Sequence, residues 1–156
     1  MATSPTTPVP ALPDGFELTA DPARIDAGRV HALLVEHAYW AAGRPRELQD
    51  RALAGSRNYA VLAPDGATVA YARLVTDGAT FGWLADVIVD PDHRGRGLGT
   101  AVVAAAMEDV AALGLARVLL RASEDGRPVY DRLGFTPVPE PGTWLVRAST
   151  PATTSA

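Results

Sequence analysis

The segment Val87-Ile88-Val89-Asp90-Pro91-Asp92-His93-Arg94-Gly95-Arg96-Gly97-Leu98-Gly99-Thr100 joins a predicted strand to the longest predicted helix. The strand is apolar until Pro91, which has no N–H to donate and ends it. The helix begins at Gly97 and runs to Leu113, with an apolar stripe at helical spacing that packs on a core. Gly114 follows in the position typical of a C-terminal cap. A glycine-rich turn between strand and helix therefore organises the domain.

This glycine-rich turn has the chemistry of an anion site. The first turn of a helix leaves N–H groups without intrahelical partners, and the helix dipole adds partial positive charge there. Gly95, Gly97 and Gly99 let a ligand approach the backbone closely, and Arg94 and Arg96 add charge. The dinucleotide fingerprint does not fit, because Gly99 comes one residue early, and the P-loop requires a lysine that the chain lacks. The alternative is a glycine-rich turn that binds nothing.

The remaining pattern predicts an α+β fold around a mixed sheet. Upstream of the loop, strands are predicted at residues 16–19, 59–63, 68–75 and 80–89, and helices at residues 25–39 and 45–53. The turn Pro64-Asp65-Gly66 makes residues 59–75 a hairpin. Downstream, a strand at residues 117–122 and a short helix at residues 128–133 are followed by Phe135 and residues 144–146, which are expected to close the sheet.

Composition indicates one globular domain, expected at residues 14–148, with disordered tails at residues 1–13 and 149–156. The net charge of −4 argues against a nucleic-acid binder, and the absence of cysteine excludes disulfides and thiolate chemistry. Three histidines alone do not make a zinc site, so no metal is expected. Neither a membrane-spanning run nor a secretory signal is visible, so a cytoplasmic protein without membrane contact is expected.

Four separated elements resemble the GNAT superfamily of N-acetyltransferases, and within it a bacterial subgroup. They are Val87 to Pro91 followed by Arg94-Gly95-Arg96-Gly97-Leu98-Gly99; residues 76–86; Tyr39-Trp40-Ala41 with Gly43-Arg44-Pro45; and Val129-Tyr130 with Gly134-Phe135. The resemblance implies a GNAT-type fold, with a mixed, mostly antiparallel sheet of six to seven strands flanked by about four helices. It also implies transfer of an acetyl group from acetyl-CoA to an amine that attacks the thioester directly.

The resemblance also assigns the donor site. Backbone groups of the strand would hold the pantetheine arm of acetyl-CoA, and the glycine loop would hold the pyrophosphate. The residues expected to bind acetyl-CoA are Val87, Ile88, Val89, Arg94, Gly95, Arg96, Gly97, Leu98, Gly99 and Thr100.

Two residues are predicted to be catalytic. Tyr130 matches the GNAT tyrosine that protonates the leaving thiolate, although a core aromatic is the alternative. Asp86 lies beside the expected thioester and is the candidate general base, although a structural carboxylate is the alternative. Asp125 is a weaker candidate for that role. Arg127 stands where the subgroup suggests a histidine, which leaves the role of that position open.

Tyr39, Trp40 and Arg44 are expected to line the acceptor side, where aromatic walls and one arginine suit a small amine carrying a carboxylate. The alternative is that the aromatics are core and Arg44 is a surface charge. Other readings are a non-catalytic acyl-CoA-binding domain, an interaction module, and a protein acetyltransferase acting on lysine or N-terminal amines. A homodimer is compatible with the resemblance, since GNAT proteins often pair through sheet edges.

Overall fold

The computed structural model describes residues 9 and 11–150, and its framework is one five-stranded sheet with four α-helices. The strands are β1 (Glu17–Thr19), β2 (Arg57–Leu62), β3 (Thr68–Thr76), β4 (Phe81–Val89) and β5 (Arg117–Leu119). The helices are α1 (Ala27–His37), α2 (Arg46–Ala54), α3 (Leu98–Leu113) and α4 (Arg127–Arg132). The α+β class and the mixed, mostly antiparallel sheet are confirmed.

The sheet follows the chain, in the order β1-β2-β3-β4-β5. The first four strands form an antiparallel meander, and β5 lies parallel to β4 because α3 carries the chain back across the sheet. The predicted hairpin turn is present, with Gly66 at φ +87° and its N–H donating to the Ala63 carbonyl at 2.8 Å. A positive φ of this kind favours glycine.

Helices cover both faces of the sheet, because side chains of the central strands alternate between two cores. On one face, Leu33 and Leu34 of α1 pack with Tyr71 and Ile88. On the other face, the apolar stripe of α3 packs with Val61, Ala70 and Leu74, as its spacing predicted. Gly114 ends α3 at φ +70°, as expected of a left-handed C-terminal cap.

The prediction of six to seven strands was wrong, because the last segment adds no strand within the described residues. Prolines at 137, 139 and 141 remove three N–H donors from one side of the segment that leads to residues 144–146, which disfavours pairing along that side. Trp144 packs against the Arg117 guanidinium, 5.4 Å from the ring centre, while Leu145 and Val146 are 93% and 94% exposed. Phe135 packs against the ring of Tyr130 instead of joining the sheet.

The disordered tails expected at residues 1–13 and 149–156 fall mainly outside the described residues. Within the part of the chain that is described, no helix is both long and apolar enough to cross a membrane.

We expect Leu34→Ala to lower the free energy of unfolding by about 2–5 kcal/mol, since the side chain is fully buried between α1 and the sheet. Urea denaturation monitored by circular dichroism measures the change. Leu48→Ala is the matched control, because Leu48 is 48% exposed on α2 and its loss should stay within about 0.5 kcal/mol. Equal losses in the two variants would contradict this packing of α1.

Candidate active site

A cleft opens where β4 parts from β5. Among the described residues the two strands pair only through Phe81, Gly82 and Trp83 of β4, so the second half of β4 has no described strand beside it on that side. The cleft has a volume of about 810 Å³ and lies between β4, the glycine loop and α4. Its size is within the range of small-molecule sites. The sheet thus leaves an open groove between its fourth strand and the edge strand β5.

The glycine loop forms one end of this cleft. Gly95 and Gly97 have φ values of +77° and +79°, which side-chain-bearing residues rarely adopt. Gly97 precedes the first turn of α3, and within the described residues no side chain caps that turn. The first intrahelical bond runs from the Ala101 N–H to the Gly97 carbonyl at 3.0 Å, so the three preceding N–H groups have no helical partner. Those groups are available to an anion.

The two arginines of the loop have different surroundings. Arg94 lines the cleft. Arg96 lies instead over the ring of Phe16, with its Cζ atom 5.9 Å from the ring centre, and does not line the cleft. Asp90 fixes the start of the loop, because its carboxylate accepts a hydrogen bond from the Asp92 N–H at 3.0 Å and forms an ion pair with Arg29 on α1. Arg94 is therefore the loop cation that faces the cleft.

A bulge in β4 places Asp86 at the floor of the cleft. Tyr71 pairs with Ile88 and Arg73 with Ala85, so β4 has one more residue than β3 over this stretch. Asp86 takes a left-handed backbone conformation with φ +53°. Its carboxylate accepts hydrogen bonds from Trp40 Nε1 at 3.0 Å and from Arg44 Nη1 and Arg73 Nε at 2.7 Å each. Residues from three separate segments thus meet on one carboxylate.

The charge state of Asp86 follows from these contacts. Burial acts to raise the pKa of its carboxyl group, but hydrogen bonds and charges from Arg44 and Arg73 outweigh burial and hold the pKa below its usual value. A carboxylate held in this way has little affinity for a proton near neutral pH. The contacts favour the structural alternative for Asp86, and its role as general base stays a prediction.

Tyr130 lies on the short helix α4. Its ring is buried and meets the Phe135 ring edge-on at 5.8 Å. Burial raises the pKa of the Tyr130 phenol to about 12, so the hydroxyl keeps its proton at neutral pH. The residue lines the cleft, and no hydrogen bond from another described residue engages its hydroxyl. Tyr130 therefore has a proton to donate.

The structure brings nearly all of the predicted site residues to this one cleft, Arg96 being the exception. Asp125 also lines it, whereas Arg127 pairs with Asp131 at 2.8 Å and does not. Sequence reasoning missed several lining residues, namely His37, Arg73, Trp83, His93, Arg121, Ser123 and Arg132. The signal for Arg73 was a charge between Ala72 and Leu74 in an otherwise apolar strand.

The cleft is positive although the chain is acidic overall. Five arginines and two aspartates line it, whereas the whole chain has a net charge of −4. A cleft of one sign attracts ligands of the other sign. Among the described residues, no group of three or more His, Asp or Glu side chains could hold a metal ion.

We expect Asp86→Asn to lower the free energy of unfolding at pH 7 by about 3–5 kcal/mol, because it removes the buried partner of two guanidinium groups. An unfolded aspartate titrates near pH 3.9 and the folded Asp86 below that, so the unfolded chain binds more protons between those values. The stability from Asp86 is thus present above pH 4 to 5 and lost as the pH falls through the folded pKa. Urea titrations from pH 7 to pH 2 measure both effects.

The matched control for this series is Asp50→Asn, which breaks the exposed pair with Arg46 on α2. It should change stability by less than about 1 kcal/mol at pH 7. If Asp86→Asn were as stable as Asp50→Asn and kept the wild-type acid profile, Asp86 would not be the ionised partner of the two arginines.

Residues 27–135 match the sequence profile of the Acetyltransferase (GNAT) family. Over 63 residues the chain is 38% identical to a glucosamine 6-phosphate N-acetyltransferase of Trypanosoma brucei brucei, covering 40% of this chain and 43% of that protein. Over 91 residues it is 40% identical to a mycothiol acetyltransferase of Frankia casuarinae, covering 57% of this chain and 26% of that protein. The chain therefore spans less than half the length of these two relatives.

Solved structures share the fold. A protein of Xanthomonas campestris pv. campestris assigned to the GNAT family superposes with a TM-score of 0.80 at 35% identity, covering 89% of this chain and 96% of that one. A protein of Clostridium acetobutylicum solved with acetyl-CoA has a TM-score of 0.65 at 19% identity, covering 85% and 96%, which shows the fold alone. With the profile matching most of the chain, this protein belongs to the GNAT acetyltransferase family.

Proposed function

We propose that this protein transfers an acetyl group from acetyl-CoA to the amine of a small-molecule acceptor, by direct attack in a ternary complex. The observation that carries the proposal is the uncapped first turn of α3, which opens onto the same cleft as Tyr130 and Asp86. One end of the cleft suits a phosphate donor, and the other end offers a proton donor and an enclosed polar floor. The membership of the GNAT family, which uses acetyl-CoA, supports the same assignment.

The donor end fits the pyrophosphate of acetyl-CoA. Three N–H groups of the first turn of α3 have no helical partner, and Arg94 supplies a full positive charge beside them. A Cβ atom added at Gly95 would meet nothing within 4 Å, so the loop is open to a ligand there. The half of β4 that does not pair with β5, including Val87 and Val89, offers its backbone to the extended pantetheine arm of acetyl-CoA. These residues would hold the donor along the groove.

The transfer requires the protein to supply one proton to the leaving thiolate and to orient the attacking amine. A bound acetyl thioester supplies an acyl carbon that an amine can attack and a thiolate that leaves. Tyr130 is protonated, buried and aimed at the cleft, so it can give its proton to the departing sulfur. The acceptor must arrive as the unprotonated amine, although an alkylamine has a pKa of about 10.4. The proton that the amine loses would pass to solvent, because the low pKa of Asp86 makes its carboxylate a weak acceptor, and Tyr130 would regain its proton from solvent after the thiol leaves.

The acceptor end is formed by Tyr39, Trp40 and Arg44. All three line the cleft, and Trp40 and Arg44 contact the same carboxylate of Asp86. The two relatives are named for glucosamine 6-phosphate and for mycothiol, which are small molecules. Both points support a small acceptor over a protein chain.

We expect Arg94→Ala to weaken acetyl-CoA binding at least about tenfold, or about 1.4 kcal/mol, because it removes a charged partner of the pyrophosphate. Isothermal titration calorimetry with acetyl-CoA and with CoA measures the change. Arg51→Ala is the control, since Arg51 is exposed at the end of α2, away from the cleft. Arg96→Ala, measured beside them, tests the sequence-based assignment of that residue. Failure of the folded wild-type protein to bind acetyl-CoA would overturn the proposed function.

We expect Tyr130→Phe to lower kcat for thiol release by about 10²-fold or more, with little change in acetyl-CoA affinity, since only the transferable proton is lost. Stopped assays with a thiol reagent measure kcat, and calorimetry measures affinity in the same preparation. Phe135→Leu controls for packing, because Phe135 contacts the Tyr130 ring without bearing a proton. An unchanged kcat would remove Tyr130 as the acid, whereas the absence of thiol release from the wild-type protein would favour a binding domain without catalysis.

A further inference from the structure

We propose that Arg44 and Arg73 together form an anion subsite, and that the acceptor amine carries a carboxylate or phosphate group that binds there. This inference rests on the proposed acetyl transfer and names the class of acceptor. The sequence indicated a single arginine in this region. The structure adds the second guanidinium from β3 and the buried carboxylate that holds the two side by side.

The two guanidinium groups lie close together. Arg44 Nη1 and Arg73 Nε both lie 2.7 Å from the same oxygen, Asp86 Oδ2, so the two nitrogen atoms are no more than 5.4 Å apart. Both residues line the cleft, and each side chain is 17% exposed. The two guanidinium groups are therefore neighbours, fixed at one point of the cleft floor and still open to it.

The cluster of Arg44, Arg73 and Asp86 carries a net positive charge. Two guanidinium groups share one carboxylate, which leaves one positive charge without a partner within the cluster. The low pKa of Asp86 keeps this count the same at neutral pH. The other acidic residue of the cleft, Asp125, makes no ion pair with either arginine in the described structure. A partly buried charge without a partner is costly, so an incoming anion is stabilised there.

The two guanidinium groups keep N–H donors that make no hydrogen bond within the described structure. Each guanidinium has five N–H groups. Arg44 uses its Nη1 atom for Asp86 and for Gln49 Oε1 at 2.7 Å, and Arg73 uses Nε for Asp86 and Nη1 for Ser56 Oγ at 3.3 Å. The other N–H groups have no acceptor among the described residues. These nitrogen atoms are not fully buried, because among the described residues the only fully buried side-chain nitrogen or oxygen atoms without a hydrogen-bond partner belong to Gln49 and His93.

The free donors therefore reach the solvent of the cleft. A planar guanidinium presents paired N–H groups that match the two oxygens of a carboxylate or phosphate. Gln49 and Asp86 orient the two forks before a ligand arrives, which lowers the entropy lost on binding. The geometry suits the charged oxygens of a carboxylate or phosphate better than a neutral hydroxyl group.

The aromatic residues beside the pair complete the subsite. Tyr39 is 72% exposed and Trp40 42% exposed, and their rings meet edge-on at 5.1 Å at the cleft. Trp40 Nε1 is fixed on Asp86, so the indole has one orientation relative to the arginines. Such a wall would bury the carbon skeleton of an acceptor whose anionic group lies on Arg44 and Arg73.

The test compares matched acceptors on the wild-type protein at saturating acetyl-CoA. The carboxylate arm pairs each of the common amino acids with its amide, and the phosphate arm pairs 2-aminoethyl phosphate with ethanolamine and glucosamine 6-phosphate with glucosamine. Thiol release gives kcat/KM, and calorimetry on the CoA-loaded protein gives binding where turnover is absent. We expect at least tenfold preference for the anionic member in one arm, which also separates carboxylate from phosphate as the source.

Arg73→Lys and Arg44→Lys keep the positive charge but remove the planar pair of N–H donors, and Arg73→Gln removes the charge. We expect each to reduce the anionic-to-neutral ratio, mainly through KM, with Arg73→Gln reducing it most. Arg46→Gln is the control with the same loss of charge, because Arg46 pairs with Asp50 on α2 and does not line the cleft. The lysine variants keep the partners of Asp86 charged, so they remain informative if the glutamine variant does not fold.

Three outcomes would overturn the proposal. They are equal kcat/KM for charged and neutral members throughout, absence of both turnover and saturable binding for every anionic member, and a preference that survives in all three variants. A loss of acetyl-CoA affinity in the lysine variants would instead place a donor phosphate on the pair and would also overturn it. In each case retained acetyl-CoA binding by the wild-type protein leaves the proposed function intact, so the two failures are distinguishable.

Discussion

The left-handed backbone of Asp86 in the middle of β4 is the constraint on which the rest of the site depends. A residue with a Cβ atom adopts such a conformation at a cost of about 1 kcal/mol or more, so it requires compensation from its surroundings. Here the compensation comes from three hydrogen bonds to the side chain, contributed by Trp40, Arg44 and Arg73. A bulge bends its strand and increases the local twist, and this one lies just beyond the point where β4 stops pairing with β5. The same feature thus accompanies the opening of the cleft and holds the cations of its floor.

Two kinds of positive site divide the cleft between them. At one end the field comes from backbone N–H groups and a helix dipole, with Arg94 beside them. At the other end it comes from two guanidinium groups whose charge is only half neutralised by Asp86. Tyr130 lines the same cleft and is neutral, buried and able to give a proton. The cleft of an acidic protein thus presents two separate positive sites together with a proton donor.

Local sequence features predicted the local parts of this arrangement. The glycine loop, the stripe of α3, its Gly114 cap and the hairpin turn all depend on residues within a few positions of each other, and they were found. The cluster at Asp86 joins Arg73 and Arg44, which are 13 and 42 positions away in the sequence. Such side-chain contacts leave no periodic pattern from which they could be predicted. Arg73 was missed because a single charge in a mostly buried strand does not show which distant residue it pairs with. The apolar residues 144–146 match a strand pattern, but the three alternating prolines before them disfavour pairing.

The segment between α1 and α2 has a consequence for how a protein of this kind diversifies. Tyr39, Trp40 and Arg44 all stand on the few residues that join these helices, outside the regular elements of the sheet and outside the glycine loop. Loops on a rigid scaffold tolerate substitution better than the elements they connect. Within this stretch Trp40 and Arg44 are tied to Asp86, whereas Tyr39 is 72% exposed. Substitutions at Tyr39 can therefore reshape this part of the cleft during evolution without disturbing the Asp86 cluster or the glycine loop.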